Sequence, residues 1–450
     1  MAKVIKLRKG LDINLTGRAR EEKEVITVNG EYGLVPDDFP GVSPKVAVHE
    51  GDHVKAGDAL FVNKKFPDVK FASPVSGTVT SIERGLRRKV LCVKVKADER
   101  LEFVDFGKKD IQTLSGEDVR RSLLEAGLFG YINQLPYAIS TEPDKEPKAI
   151  FISALRDMPL AGSFSFELKD NEAAFQTGVS ALAKIAKVYV GVGPQQTEQA
   201  LKGLKDAEVN VFDGPCPAGN VGVQVNHLSP VNKGETVWTV DATAVIFFGR
   251  LFLNGKVDLR RTVALAGSEI KAPHYVEALV GTPLQQIVGD QLKQTEHVRL
   301  INGNPLTGRV AAISDFLGAH TSEITAIPEG DDKHEMLGWI KPRLSQFSAS
   351  HSYFSWLFPH RQGYNLDARV KGGRRNLIMS GEYDRVFPMD IYAGYLVKAI
   401  ISGDIDRQEQ LGIYEVAPED FAVAEFVDSS KLPLQEIVRQ GLDTLRKENA

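Results

Sequence analysis

The sequence predicts a multidomain α/β protein, and three patterns along its 450 residues carry that prediction. Between Val46 and Ile82, short strand-like runs alternate with Gly-Asp turns at regular spacing. From Lys148 to Phe212, apolar runs alternate with amphipathic helical stretches, as a parallel sheet requires. Beyond residue 331 strand signals thin out and helical periodicity takes over. A chain of this length divides into about two to four domains, and 42% hydrophobic residues suffice for packed cores.

Residues 1–33 read as an extended lead-in, with mixed charge over Arg18–Glu24. Asn29-Gly30 between Val28 and Tyr32 is a hairpin signal. Residues 34–100 follow as a barrel-sandwich domain. Its strand-like pieces are Val46–Val48, Ala59–Val62 and Gly77–Val79, and its turns are Glu50-Gly51-Asp52, Ala56-Gly57-Asp58 and Ser76-Gly77. Glycine supplies the positive φ of such turns, and the neighbouring Asp bonds the turn backbone. The two halves share a rhythm, which predicts a pseudo-symmetric pair of hairpin units. The pattern EGDHVKAGD…SPVSG resembles the biotinyl and lipoyl carrier domains. Those domains present one lysine at an exposed hairpin tip, in an MKM or DKA frame. The corresponding tip here reads Asn63-Lys64-Lys65-Phe66-Pro67, so neither Lys64 nor Lys65 has that frame and a rigid scaffold is the leading reading.

Residues 101–257 read as a Rossmann-like α/β domain. Ser115 and Asp118 make a capping box, and Val119, Leu123 and Ala126 fall on one face of the helix that follows. Lys148–Ala154, Lys187–Val192 and Glu208–Phe212 read as strands, with a helix over Asn171–Lys187 whose stripe is Phe175, Val179, Leu182 and Ala186. A dinucleotide loop on such a sheet needs three small residues. Gly191-Val-Gly193 follows a strand, but Gln196 holds the third position and Pro194 crowds the turn. A second loop, with Gly214, Gly219 and Gly222, could approach a phosphate or flavin. Pro215 and Pro217 remove backbone donors that an anion needs, so this degenerate loop is expected to be structural.

Residues 258–330 read as a β-grasp domain of the soluble-ligand-binding type. Arg260–Leu265 is a strand, and Thr282-Pro283 predicts an N-cap and first-turn proline for a helix with Leu284, Ile287 and Val288 inward. Val298–Ile301 is a further strand before the turn at Asn302-Gly303-Asn304. Residues 331–450 read as mainly helical with a loop-rich entry. Phe347, Tyr353, Phe354, Trp356 and Phe358 crowd one segment, followed by Tyr364 and the basic Lys371–Arg375. A Pro388–Ile401 helix is apolar nearly all round, which predicts burial, and Pro433–Leu445 is amphipathic.

Composition excludes several function classes. A net charge of −4 argues against nucleic acid as the main partner. Two cysteines, Cys92 and Cys216, cannot form a CxxC metal or iron–sulfur site. There is no GxSxG, HExxH or Walker A motif, and His49 and His53 sit on a turn-bearing segment unsuited to shared metal ligation. Met1–Gly10 is basic without the apolar core of a signal peptide, and no apolar run reaches about 18 residues. A soluble or peripheral protein without a metal site or catalytic residues of its own is expected.

Five stretches together resemble one family. VHEGDHVKAGDALF…FASPVSGTVTSI, CPAGNVG, RTVALAGSEIKAP, NPLTGR and, most specifically, the Gly381–Ala422 stretch are similar to the A-subunit of the bacterial Na⁺-translocating NADH:quinone oxidoreductase. The resemblance runs from about Gly30 to Lys447. It implies a six-subunit inner-membrane translocase that passes electrons from NADH through FAD, FMN, riboflavin and iron–sulfur centres to ubiquinone while exporting Na⁺. This chain would be its peripheral member on the cytoplasmic face, docked chiefly on the membrane-embedded B-subunit, and would bind no cofactor itself. The implied fold is similar to flavoprotein subunits that carry FMN and an iron–sulfur cluster, from which the degenerate Gly214–Gly222 loop and the missing cysteine quartet depart. Phe39, His351, Tyr353, Trp356 and Phe358 are the candidates for contact with quinone or a partner surface. The alternatives are a free-standing FMN- and NADH-binding flavoprotein using the Gly214–Gly222 loop, and a carrier modified at Lys64 or Lys65.

Overall fold

The computed structural model describes residues 2–335, 337–338, 340–357 and 363–449. Two small antiparallel sheets form the barrel-sandwich. One runs in the order Glu31–Leu34, Val90–Ala97, Gly77–Arg84, His53–Val54, and the other Pro44–Val46, Ala59–Asn63, Lys70–Ala72. The predicted two-fold rhythm is visible in the turns. The His49 N–H donates to Asp52 Oδ2 and the Lys55 N–H to Asp58 Oδ2, both at 2.7 Å. Gly77 is required by contact as well as by its φ of +155°, because a Cβ there would lie 1.9 Å from the Lys96 carbonyl oxygen.

The second unit is a seven-stranded sheet. Its order is Lys3–Lys6, Ala207–Asp213, Val188–Val192, Ile150–Ser153, Val237–Asp241, Ile132–Leu135, Ile139–Ser140. The first five strands are mutually parallel and the last two pair antiparallel. The helix Gly116–Glu125 starts at the predicted Ser115/Asp118 capping box. Helix Glu172–Ala183 buries Phe175, Val179 and Leu182 of the predicted stripe but ends before Ala186, which is only part-buried. It packs so closely on the almost wholly buried helix Ala242–Asn254 that a Cβ at Gly249 would lie 1.7 Å from the Ala174 carbonyl oxygen. This sheet and the barrel share one hydrophobic core.

The third unit is a mixed six-stranded sheet ordered Arg309–Val310, Val298–Asn302, Glu323–Pro328, Arg260–Ala266, His274–Leu279, Arg20–Val25. Helix Leu284–Val288 covers it. Pro283 is the N-cap of that helix rather than its first-turn residue, and the Thr282 hydroxyl donates back to the Leu279 carbonyl at 2.7 Å. The C-terminal region carries helices Tyr383–Val386, Ala393–Ser402, Ile405–Gln410, Ala422–Val427 and Leu434–Glu448, whose core continues into Leu7, Phe212, Cys216 and Val223 of the seven-stranded unit.

Two expectations need correction. Residues 1–33 are not a lead-in, because Lys3–Lys6, Arg20–Val25 and Glu31–Leu34 each join a different sheet. The Asn29-Gly30 hairpin therefore does not form. Tyr32 and Leu34 bury in the barrel, whereas every residue of Arg20–Val25 is exposed, so the two strands have no common face to share. The helix read over Pro388–Ile401 spans Ala393–Ser402 and is not buried all round. Ala393, Leu396, Val397 and Ala399 turn inward, while Tyr392, Tyr395 and Ile401 face outward. Tyrosine counts as apolar in a pattern yet tolerates solvent through its hydroxyl.

Candidate functional site

In an open parallel sheet, ligands enter where the strand order reverses, beyond the carboxyl ends of the two strands that flank the reversal. Here the chain lays down Ile150–Ser153, then Val188–Val192 and Ala207–Asp213 to one side, and returns to place Val237–Asp241 on the other. The reversal lies between Ser153 and Asp241, which are paired neighbours.

That crevice is filled by the chain itself. Arg156, three residues beyond its strand, bonds Glu167 at 3.1 Å, Asp241 at 3.3 Å and the Thr243 hydroxyl at 2.7 Å. Thr243 donates in turn to Glu167 at 2.9 Å. The Arg156 and Glu167 side chains are 11% and 2% exposed. Burial alone would lower the Arg156 pKa, but the carboxylates of Glu167, Asp241 and Glu323 outweigh it and raise it. Burial would raise Asp241; Arg156 and Arg261 overcome that and lower it. The network reaches the six-stranded sheet, where Arg261 bonds the Ala319 carbonyl and Glu323 accepts the Gly162 N–H at 3.3 Å. It fixes the two sheets against each other.

Both glycine loops are occupied the same way. The Gly193 N–H donates to Gln196 Oε1 at 2.7 Å, and Gln196 Nε2 donates to the Ala154 carbonyl at 2.9 Å. Gln196 thus plugs the place where a third glycine would admit a phosphate. In the second loop a Cβ at Gly214 would lie 2.6 Å from Leu7 Cβ, so this glycine serves packing against the first strand. The Gly219 N–H donates to Asp157 Oδ2 at 2.8 Å, and the Cys216 N–H donates to Asp12 Oδ1 at 3.0 Å. A Cβ at Gly222 would meet Asp420 Oδ2 at 2.3 Å. Carboxylates stand where a phosphate would sit at the start of helix Val221–Leu228. Burial raises Asp157 to about 6, and burial with the neighbouring Glu419 carboxylate raises Asp420 to about 7.

The remaining candidates scatter. Phe39 is 1% exposed, packed among Phe61, Phe71, Tyr131 and His320, and is a core residue rather than a ligand-facing one. It is not brought to Tyr353. Tyr353, under the Arg343 guanidinium at 5.6 Å, lines a cleft of about 910 Å³ with Leu11, Ile13, Ile301, Phe347 and Phe426. Phe347 packs on Tyr364 and Phe426 with centroids 5.3 and 5.8 Å apart. His351 stacks on the exposed Trp356 at 5.8 Å, and Phe358 lies outside the described residues. At the carrier-like tip Lys64 is exposed, but Lys65 is tethered to Glu142 at 3.0 Å. Cys92 and Cys216 are both buried on separate elements, and burial pushes the Cys92 thiol up to about 12. Among the described residues, His297, Asp331 and Asp332 bring possible metal-ligating atoms within 4.8 Å of one another, all exposed and with His297 already paired to Asp331.

Comparison with known proteins gives this geometry a family. Residues 5–98 match the NqrA N-terminal barrel-sandwich hybrid domain, 114–257 the NqrA second alpha/beta domain, and 262–312 the NQRA C-terminal domain. The A-subunit of the Na(+)-translocating NADH-quinone reductase of Neisseria meningitidis serogroup B is 31% identical over 449 residues, covering 99% of this chain and 100% of that one. The chain belongs to that A-subunit family, NqrA. The NqrA relative from Serratia proteamaculans is 34% identical over 456 residues, again across 99% of this chain and 100% of the relative. An NAD+-reducing [NiFe]-hydrogenase overlaps 48% of each chain at 12% identity and a TM-score of 0.34, too slight to carry an argument. Among the described residues of this family member, no helix is long and apolar enough to cross a membrane.

Sequence reading missed Arg156, Glu167 and Asp241. A signal was present, since Arg156 and Asp241 each stand at or just after the end of a short apolar run, where the ligand-facing crest of a parallel sheet lies.

Proposed function

We propose that this chain is the peripheral, non-redox scaffold of a Na⁺-translocating NADH:quinone oxidoreductase, contributing to coupled NADH oxidation, quinone reduction and Na⁺ export without binding a cofactor itself. The observation that carries the reading is the plugged switch-point crevice. A nucleotide or flavin would have to displace Arg156 from two carboxylates in a largely buried site, and removing one partner of a buried pair costs about 3–5 kcal/mol. The flavins, iron–sulfur centres and NADH site of the complex then belong to other subunits. Its position would be the cytoplasmic face of the inner membrane, with the membrane-embedded B-subunit as chief partner. The domain reading that goes with it assigns a Rossmann-like unit to residues 101–257, on the strand order, and a β-grasp unit to 258–330, on the parallel pairing of its first and last strands. An absorbance spectrum and an NADH titration of the purified chain test it. No flavin band and no heat of binding are expected; stoichiometric flavin would overturn the reading.

A second reading, contact with quinone, is favoured by the cleft at Tyr353, where Leu11, Ile13, Ile301 and Phe347 offer apolar contact and the Tyr353 phenol a donor for a quinone carbonyl. Calorimetry with a short-chain quinone tests it, weak binding at best being expected for the isolated chain. A saturable submicromolar isotherm that Tyr353→Ala abolishes would place quinone here. A carrier role at Lys65 is opposed by its pair with Glu142, and at Lys64 by the lack of the carrier frame. An intact mass above the 49.4 kDa of the sequence would revive it.

A further inference from the structure

The basic and aromatic stretch in the C-terminal quarter is left unused by the scaffold reading. Residues 337–375 contain seven Lys and Arg against a single acid, Asp367, in a chain whose overall charge is −4. Leu337, Ile340, Phe354, Trp356, Leu357 and Val370 are each more than half exposed. Among the described residues outside this segment, the large apolar side chains at that exposure are Val4, Val25, Leu86 and Val310, each isolated in sequence, and Tyr392, Tyr395 and Ile401 on one helix and its N-cap. The six in this segment are the largest such group, and exposed apolar groups concentrated this way mark an interaction surface.

Cross-links within the segment place its parts together. The Phe354 N–H donates to the Pro342 carbonyl at 3.1 Å. Arg343 Nη1 and Lys371 Nζ both donate to Gln346 Oε1 at 2.9 Å. The turn bearing Ile340, the short helix Phe354–Leu357 and the irregular stretch Arg369–Lys371 therefore share one locale. The lone Asp367 accepts from Arg369 at 2.8 Å through Oδ2 and is flanked by Lys333 and Lys371 at 3.7 and 3.8 Å. Arg374 and Arg375 are exposed and make no ion pair among the described residues.

We propose that this segment rests on an anionic phospholipid surface, the exposed arginines and Lys341 meeting headgroups while Trp356, Phe354 and their neighbours enter the interfacial layer. Tryptophan beside excess Lys and Arg is the composition that favours the membrane–water boundary. A protein partner would have to answer each cation with an acid in fixed register, whereas an anionic leaflet offers negative potential without register. With no spanning helix among the described residues, such a contact would give one member of a membrane-linked enzyme a hold on the bilayer beside its protein partners.

The full chain is sedimented with vesicles of phosphatidylcholine alone and of phosphatidylcholine with phosphatidylglycerol, at low and high salt. Binding to the anionic vesicles alone is expected, with release by salt as the Debye length shrinks from about 10 Å at 0.1 M to about 3 Å at 1 M. Each basic residue near such a surface contributes roughly a fivefold factor, so the double reversal Arg374→Glu with Arg375→Glu should weaken binding by about 25-fold or more. Trp356→Ala should reduce the shift of tryptophan emission to shorter wavelength on vesicle addition. These side chains are exposed, so circular dichroism and the unfolding midpoint should match the parent and exclude misfolding as the cause. Failure of the parent chain to sediment with anionic vesicles would overturn the proposal. So would a reversal variant that binds vesicles normally but no longer co-purifies with the rest of the complex in detergent, which would make the surface a protein contact. No flavin, NADH or quinone is involved, so failure here leaves the scaffold reading standing.

Discussion

The crest of the seven-stranded sheet and the 337–375 segment use the same chemistry in opposite settings. At the crest, Arg156 lies over the Phe164 ring at 5.3 Å and is paired to two carboxylates, its own side chain only 11% exposed. In the segment, Arg343 lies over Tyr353 at 5.6 Å and is itself paired to Glu335, but Arg374 and Arg375 reach solvent without an ion pair among the described residues and the aromatics Phe354 and Trp356 stand half exposed. A guanidinium in the first setting is a structural bolt, because leaving it unpaired in low dielectric is costly. In the second it keeps its charge available to something outside the chain. The difference separates what the fold uses for itself from what it leaves to partners, and residue type alone does not make that distinction.

The sharpest way to break the comparison is to remove one partner at the crest. Glu167→Leu should destabilise the protein by about 3–5 kcal/mol in denaturant unfolding, because Arg156 is left buried with half its compensation. Adding Arg156→Met should recover most of that loss. A single variant with unchanged stability would mean that the crest is open to water. Close behind, Phe39→Ala should cost about 3–5 kcal/mol by leaving a cavity among Phe61, Phe71 and Tyr131, measured the same way. If that variant is fully stable yet loses a ligand, Phe39 belongs to a site after all.

A pH dependence of intermediate size follows from the carboxyls at the second glycine loop. Asp157 and Asp420 are raised to about 6 and about 7 by burial, so the folded chain holds protons that the unfolded chain releases nearer pH 4. Their contribution to stability is therefore lost as pH rises from about 4 through about 7. Asp420→Asn, which keeps an acceptor for the Ala417 N–H, should become more stable than the parent at pH 8 by on the order of a few kcal/mol while matching it at pH 4. Parallel curves for the two proteins would contradict this. The smallest effect is the counterpart to Phe39: Trp356→Ala should change unfolding stability by less than about 0.5 kcal/mol, since its side chain is half exposed.

Much of the architecture was legible because it is written locally. The Ser115/Asp118 capping box and the paired Asp52 and Asp58 turns act within a few residues and formed as read, and the helical stripe formed at Phe175, Val179 and Leu182 but stopped short of Ala186. The carrier-like pattern likewise led to the barrel-sandwich, and the Gly381–Ala422 stretch to the family. The candidate site was less legible. Phe39 and Trp356 are equivalent in a sequence, and only packing made one core and the other surface. Similarly, Tyr392 and Tyr395 counted toward a buried helix and turned outward.

By itself, then, the sequence determined the strand, turn and helix signals, the absence of familiar catalytic motifs and the family resemblance. Tertiary structure decided that three pieces of the first 33 residues join three sheets, that Arg156 fills the switch-point crevice and that Asp420 stands against Gly222. Arg156 and Asp241 are 85 positions apart, and Asp420 meets a loop some two hundred positions earlier. Contacts at that separation depend on how whole elements pack, and no short-range pattern encodes them. Local rules carry a few tenths to about 1 kcal/mol per residue, whereas burying or stranding a charge carries several, so the long-range contacts decide which residues the fold keeps for itself.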